Sequence, residues 1–393
     1  MKHRNQMKKP PHALRRSAEI ITALFLLLLL AVPAVVLNCT GESRELSAAQ
    51  KRKFAVAEVT DVLADNAAPD DWTEGRRIGE QYIEVEIRSG AYKGTVLETV
   101  NYINAYYNVD CKLGTRIIVR LDLDDQGEPY VVSIPNYNRG PVIIGLIVVF
   151  ALLLVLIGGR KGAMALAGLI YTVACVWFLL IPMILRGVSP VLGTILIVTL
   201  TTAASLILLT GFSRKTLCAT LGCVGGVAAA GIFAAIADAV SPLNGFNMSE
   251  AEELVLRAYD SELYISGLLI SGILIASLGA VMDVAMSIAS ACNELHVHNP
   301  SLSRRELFRS GMNIGRDAMG TMANTLILAF AGASLNILIL FQVYRYPLIQ
   351  IVNTDAILIE LIRGLAGSIG IILTVPLVSV LSACLMTKKK QVP

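Results

Sequence analysis

The chain has 393 residues with a net charge of +3, of which 55% are apolar and only 16% charged, and its mean hydropathy is +0.64. That composition excludes an ordinary soluble globule and makes a lipid bilayer the expected surroundings. The cations are clustered by position and form no continuous basic surface of the kind that follows a nucleic-acid backbone, so no nucleic acid is expected as a partner.

Residues 1–18 are a basic start carrying Lys2, Arg4, Lys8, Lys9, Arg15 and Arg16, and the apolar stretch 19–38 that follows is long enough to span. The basic flank places the N-terminus inside. No small-x-small cleavage site precedes Cys39, and Asn38 spoils a lipoprotein box, so an uncleaved anchor helix is expected. Residues 40–138 change character. Alternation along Tyr82-Ile83-Glu84-Val85-Glu86-Ile87-Arg88 puts the isoleucines and the valine on one strand face. Further strands are expected at 54–63, 95–103, 115–121 and 130–134, with turns at Ser89-Gly90, Lys93-Gly94 and Asp124-Asp125-Gln126-Gly127. Short strands at this spacing predict a small extracytoplasmic β-rich domain, OB-like or a barrel. The turn at Asp124 superficially looks like a calcium loop, but no glutamate closes it and a hairpin explains it. The seven cysteines show no CxxC or metal spacing; Cys39 and Cys111 would share the outer compartment, which leaves a disulfide between them open.

Seven more apolar spans are expected at about 140–158, 163–185, 189–211, 217–239, 263–285, 319–342 and 359–386. Threading them in turn brings Arg160-Lys161, Arg214-Lys215, the Arg304, Arg305, Arg309 and Arg316 cluster and Lys388-Lys389-Lys390 to the inner side, as the positive-inside rule requires. The fold class that follows is a membrane all-α helical bundle of eight transmembrane helices, with the β-rich domain between helices 1 and 2. Residues 387–393 form a basic cytoplasmic tail, and both termini lie in the cytoplasm. In the outer loop 240–262, Ser249-Glu250-Ala251-Glu252-Glu253 reads as the capped start of a short helix. In the inner loop 286–318, His298-Asn299-Pro300 ends one helix, and Ser303-Arg304-Arg305-Glu306 is a capping box opening an amphipathic helix that feeds the next span.

Polar residues at membrane depth are costly, so they mark candidate sites. On the sixth helix Asp283, Ser287, Ser290 and Glu294 fall on one stripe, with Asp283 about a turn from the inner end. The seventh carries Asn313, Asp317, Thr321 and Asn324 on one face beside Gly320, so the two stripes could face each other. On the eighth, Arg363 follows Glu360 at i+3 ahead of a small-residue face of Gly364, Gly367, Ser368 and Gly370. A carboxylate in a low-dielectric bundle, with an amide and a guanidinium nearby, has the ingredients of a proton or cation relay; the same groups also serve as structural hydrogen bonds between helices. Cys292, His296 and His298 make at most half a metal site, and no metal or other cofactor is expected. There is no Walker loop, GxSxG or HExxH, so the chain does not read as an enzyme.

The segments SLGAVMDVAMSIASACNEL, NPSLSRRELFRSGMNIGRDAMGTMANTLILAF and RGLAGSIGIILTVPL resemble the YibE/F family of bacterial multipass membrane proteins over about 140–386. The resemblance implies a bacterial cytoplasmic-membrane location and no particular activity. More remotely, Met282-Asp283-Val284-Ala285, the 303–317 helix, Asn324 and Arg363-Gly364 are similar to the membrane halves of SecD and SecF, although Met286 stands where that motif has Asn. The expected function is transport or translocation, with Asp283 as coupling carboxylate and Asp317, Asn324 and Arg363 around it. Its partners would be the lipid bilayer, protons or a small ion, and a membrane or envelope protein. The alternative is a non-transporting scaffold or sensor whose external domain binds an envelope component.

Overall fold

In the computed structural model of the chain, the described residues are 26–37, 52–243, 246, 248, 251, 254, 264–265 and 267–387. The chain divides into two compact units, Ser43–Leu153 and Met1–Glu42 with Leu154–Pro393. The expected helix start at Ser249–Glu253 falls mostly outside the described residues, and so does Cys39.

The first unit is a curled antiparallel sheet of β1 (Arg52–Asp65), β2 (Ala68–Asp70), β3 (Arg76–Ile87), β4 (Val96–Ile103), β5 (Arg116–Leu123) and β6 (Pro129–Tyr137). The five expected strands are present; the short β2 was not expected, and nothing in its Ala-Pro-Asp sequence announces a strand. The order is β2-β3-β1-β5-β6, with β4 on the other side of β3. Alternation decides which side chains go in: Ile83, Val85 and Ile87 of β3 join Ala57 and Val59 of β1 and Ile117, Val119 and Leu121 of β5 in one core. A bulge between Val59 and Asp61 bends β1. The curl brings β4 to β6, where the Thr99 hydroxyl donates to the Val132 carbonyl at 2.7 Å. Asp124 closes the β5–β6 hairpin by accepting from the Gln126 and Glu128 amides at 2.9 and 2.8 Å.

The helices are α1 (Leu26–Leu37), α2 (Gly140–Leu185), α3 (Pro190–Thr210), α4 (Arg214–Val240), α5 (Leu268–His298), α6 (Arg304–Ala333), α7 (Leu335–Val343), α8 (Leu348–Val352) and α9 (Asp355–Met386). Among the described residues, five are long and apolar enough to cross a membrane, or six if α6 and α7, bent by 57° at Ser334, count as one broken span. These long apolar helices are those of a membrane protein. The expected total of eight differs for two reasons. The described part of the first span is only the 12-residue α1, and α2 merges two expected spans into one element of 46 residues. That element is interrupted at Gly159, whose φ of 55° and ψ of −134° are open only to glycine. A Cβ on Gly162 would strike the Leu154 carbonyl, so the chain turns back on itself there.

In the second unit α9 is the central element, packed against α4, α5 and α6. Glycines set how closely they approach. On α4, Gly222 and Gly226 lie against Val378 and Thr374 of α9, and on α6, Gly311 and Gly315 lie against Ser379 and Val375. These pairs make α4 and α6 antiparallel to α9. Gly367 and Gly370 of α9 meet Ser277 and Val281 of α5, so these two run parallel. Beside this bundle, Leu26 of α1 packs with Tyr171 and Cys175 of α2, and the Arg186 guanidinium donates to the Leu37 carbonyl.

Candidate functional site

α5 runs on past the expected span to His298 and ends at Asn299, which puts Asp283 at the middle of the helix. Its packed face is Val281, Ala285, Ile288 and Cys292, all fully buried. Asp283 and Ser287 fall on the opposite side and are exposed, as is Glu294. α6 begins at the capping box: the Ser303 hydroxyl accepts from the Glu306 amide at 3.3 Å, and the Glu306 carboxylate accepts from the Ser303 amide at 2.8 Å. From that start Leu307, Gly311 and Gly315 turn inward every fourth residue. The same period sends Asn313, Asp317, Thr321 and Asn324 outward, and all four are exposed.

Each stripe is therefore on the face of its helix turned away from α9; the two do not face each other across a dry interface. They are nonetheless neighbours. A Cβ on Gly311 would meet Cys292 Sγ at 3.0 Å and one on Gly315 would meet Ile288 Cδ1 at 3.0 Å, which pairs α5 and α6 antiparallel. Continued along both helices, that register brings Asp283 level with Gly320 and Asn324 level with Gly279. Gly279 and Gly320 are open, with nothing within 4 Å of a Cβ on either. The Thr321 hydroxyl is satisfied by the Ala318 carbonyl at 2.9 Å. Asp283, Asn313, Asp317 and Asn324 make no hydrogen bond or ion pair among the described residues.

Arg363 is not brought to this surface. It pairs with Glu360 one turn earlier on α9, and its guanidinium lies 5.9 Å above the Phe330 ring. The approach of Gly370 to Val281 puts Asp283 level with about residue 372, roughly 13 Å further along α9 at 1.5 Å per residue. The second carboxylate oxygen of Glu360 is buried without a partner beside a cavity of about 180 Å³ that Ile327, Phe330, Ser334, Leu338 and Gly364 also line. Sequence periodicity found the Glu360–Arg363 pair but not the cavity, which arises from the bend at Ser334.

The sheet unit holds a second polar constellation, which sequence reading missed. Gln81 occupies an inward position of β3 and is fully buried. Its amide nitrogen donates to Asp65 at 3.1 Å, Asp110 at 3.2 Å and the Cys111 carbonyl at 3.2 Å, while its oxygen accepts from Asn101 at 3.1 Å and the Cys111 amide at 2.9 Å. Arg77 bridges the same two carboxylates, at 2.6 Å to Asp65 and 2.7 Å to Asp110. The Arg77 hydrogen bond holds the Asp65 carboxyl below its ordinary value, and burial pushes the Cys111 thiol up to about 12. The available signal was Gln81 itself, a polar residue where the alternation calls for an apolar one. Among the described residues no group of three or more His, Cys, Asp or Glu could hold a metal ion; Cys292 is in the bundle core, and His298 lies 3.8 Å from Glu294.

Comparison with known families matches residues 146–388 to the family described as YibE/F-like protein. The chain belongs to the YibE/F family. The match takes in α3 to α9 and most of α2, and so includes both polar stripes of this YibE/F protein. No curated protein and no solved structure matches it, and the likeness to the membrane halves of SecD and SecF is not shown.

Proposed function

We propose that this YibE/F protein is a transport or translocation protein of a bacterial cytoplasmic membrane, coupled to protons or a small cation through Asp283. One observation carries the reading: Asp283 on the apolar α5 and Asn324 on the apolar second half of α6 stand exposed with no hydrogen bond or ion pair among the described residues, and Asn313 and Asp317 continue the stripe of α6 toward its Arg-rich start. Such groups are retained at membrane depth where water, ions or another protein meets them. Asp317, Asn313, Thr321, Asn324 and Ser287 belong to the same surface, and Arg363 acts apart from it. The proposed topology has eight spans, counting α1 and both halves of α2, with both termini inside and the sheet unit outside. The test is proton flux into proteoliposomes under an imposed pH gradient. Asp283→Asn keeps the shape and hydrogen bonding of the side chain and removes its charge, so flux is expected to fall at least tenfold at equal incorporation. Flux equal to that of the wild type rejects the coupling role.

A second reading, an envelope scaffold or sensor, is favoured by the outer face of the sheet unit. Its strand order, with β4 closing on β6, is that of an OB-fold, whose ligands bind the face formed here by β3 and β4. That face carries exposed Tyr82 and Tyr102, with Glu84 directly opposite Glu98 in register. Like charges in register destabilise a bare sheet, so a cationic envelope partner suits the face.

A further inference from the structure

We infer that the end of the sheet unit from which α2 departs is seated on the bilayer surface, with Trp72, Tyr106 and Tyr107 among the lipid headgroups. The inference is independent of the coupling role of Asp283. Strand direction decides which end is concerned. β6 runs straight into α2: Tyr137 ends the strand, and the amide of Asn138 still donates to the Arg116 carbonyl at 2.9 Å before the helix begins at Gly140. Residues 140–153, in the same compact unit, form an apolar stretch of helix with no polar side chain. From Tyr137 to Gly140 the chain covers at most about 11 Å, little more than the depth of a headgroup layer. That end of β6 therefore lies at the membrane surface.

Two loops share this end. The Tyr137 hydroxyl accepts from the Asp110 amide at 2.7 Å, and Asp110 in turn holds Arg77 at the start of β3 at 2.7 Å, so the exit of β6 is tied to both. The loop before β3 contains the single turn Asp71–Thr73. The Thr73 hydroxyl donates to the Asp70 carboxylate at 2.9 Å and the Gly75 amide to the Asp70 carbonyl at 3.0 Å, which leaves Trp72 95% exposed. The other loop follows β4. There the Asn104 side chain accepts from the Tyr106 and Tyr107 amides at 2.9 and 2.7 Å, and the Asn108 side chain donates to the Arg77 carbonyl at 2.8 Å. Tyr106 is 85% exposed and meets Tyr107 edge-on, with ring centroids 4.8 Å apart. Hydrogen bonds thus hold both loops so that they present aromatic rings which the domain does not bury. A ring with an apolar body and one polar atom is best accommodated in a headgroup layer. The opposite end differs: its turns at 89–95 and 124–128 expose Lys93, Asp124 and Gln126 but no aromatic residue, and Phe54 and Tyr130 near it stand on strands.

The test is tryptophan fluorescence of the full chain in phosphatidylcholine nanodiscs. The chain has two tryptophans, so Trp177→Phe leaves Trp72 as the reporter. A nitroxide on the lipid headgroup is expected to quench its emission at least about twofold, and aqueous iodide to quench it at least about threefold less than it quenches free tryptophan. Combining Trp177→Phe with Trp72→Phe and Ala91→Trp moves the reporter to the opposite end, where iodide quenches fully and the nitroxide lipid has no effect. A second measurement uses the wild-type chain: a photoreactive diazirine on the lipid headgroup is expected to label residues 71–73 and 105–107 and to spare 89–95. Trp72 open to iodide and untouched by the nitroxide overturns the inference. So does Trp72 shielded from both quenchers, which is the mark of another protein or a second copy over the loops. Equal nitroxide quenching at the two ends, or headgroup label confined to 89–95 or absent from both loops, overturns it as well.

Discussion

Arg77 holds two carboxylates that the sheet unit would otherwise have to keep apart. Asp65 ends β1 and Asp110 lies in the loop after β4; Gln81 ties both to the strand between them. Because the Asp65 pKa is lowered in the folded state, its contribution to stability is fully present above the unfolded carboxylate value of about 4 and is lost as pH falls through the folded value. The sheet unit of the full chain is therefore expected to open on acidification below about pH 4, with hydrogen-exchange protection at Gln81, Asn101 and Cys111 lost first. In Arg77→Gln the same loss is expected at neutral pH, with a flatter acid dependence. Protection unchanged by that substitution excludes Arg77 as the clasp. At this scale the sequence was a partial guide. Charged residues on spans are visible because hydropathy makes them anomalous, whereas Gln81 and Arg77 are ordinary in a polar domain, and only the curl of the sheet reveals where they point.

Helix faces were legible wherever a 3.6-residue period had something to contrast. The capping box at Ser303 and the stop at His298 are local signals, and both are found where local chemistry puts them. The direction in which each polar stripe points was not legible, since periodicity tells which residues share a face and not what that face meets. Small residues decide that second question here. A Cβ on Gly226 would strike the Thr374 hydroxyl and come to 2.9 Å from Val281 Cγ1, so α4, α5 and α9 meet at this one position. Gly226→Leu is expected to cost more than about 2 kcal/mol and to lower the melting temperature in detergent, because all three helices must separate. Gly332→Ala meets nothing within 4 Å and is expected to be neutral or slightly stabilising. Equal melting of the two variants contradicts the three-helix junction.

At the scale of the whole molecule, the pattern of Lys and Arg supports one threading, which labelling with a membrane-impermeant maleimide in intact cells tests against the parent chain. Leu113→Cys, on an exposed turn of the sheet unit, is expected to gain label; Ser301→Cys, between α5 and α6, is expected to gain it only after permeabilisation. The reverse pattern inverts the orientation. The division into a β-rich unit and a helical unit was readable from composition alone, since polar alternation and long apolar runs need different solvents. The number of spans was harder to read, because a glycine break inside α2 and a bend between α6 and α7 leave continuous hydropathy while changing what counts as one crossing.

The central place of α9 has a consequence for the order of events during synthesis. It leaves the ribosome after α4, α5 and α6, yet it is the element on which all three close. Until it arrives, the faces of α4 and α6 that meet it have no counterpart, although α4 and α5 can already pack on each other where Gly231 meets Leu274. Contacts between Gly222 and Val378 span most of the bundle's sequence, so the chain must postpone its tightest packing to the end. Maturation thus ends in a late closure on α9, and a nascent chain stalled before Asp355 presents quality-control proteases with the uncovered faces of α4, α5 and α6 in place of a finished core.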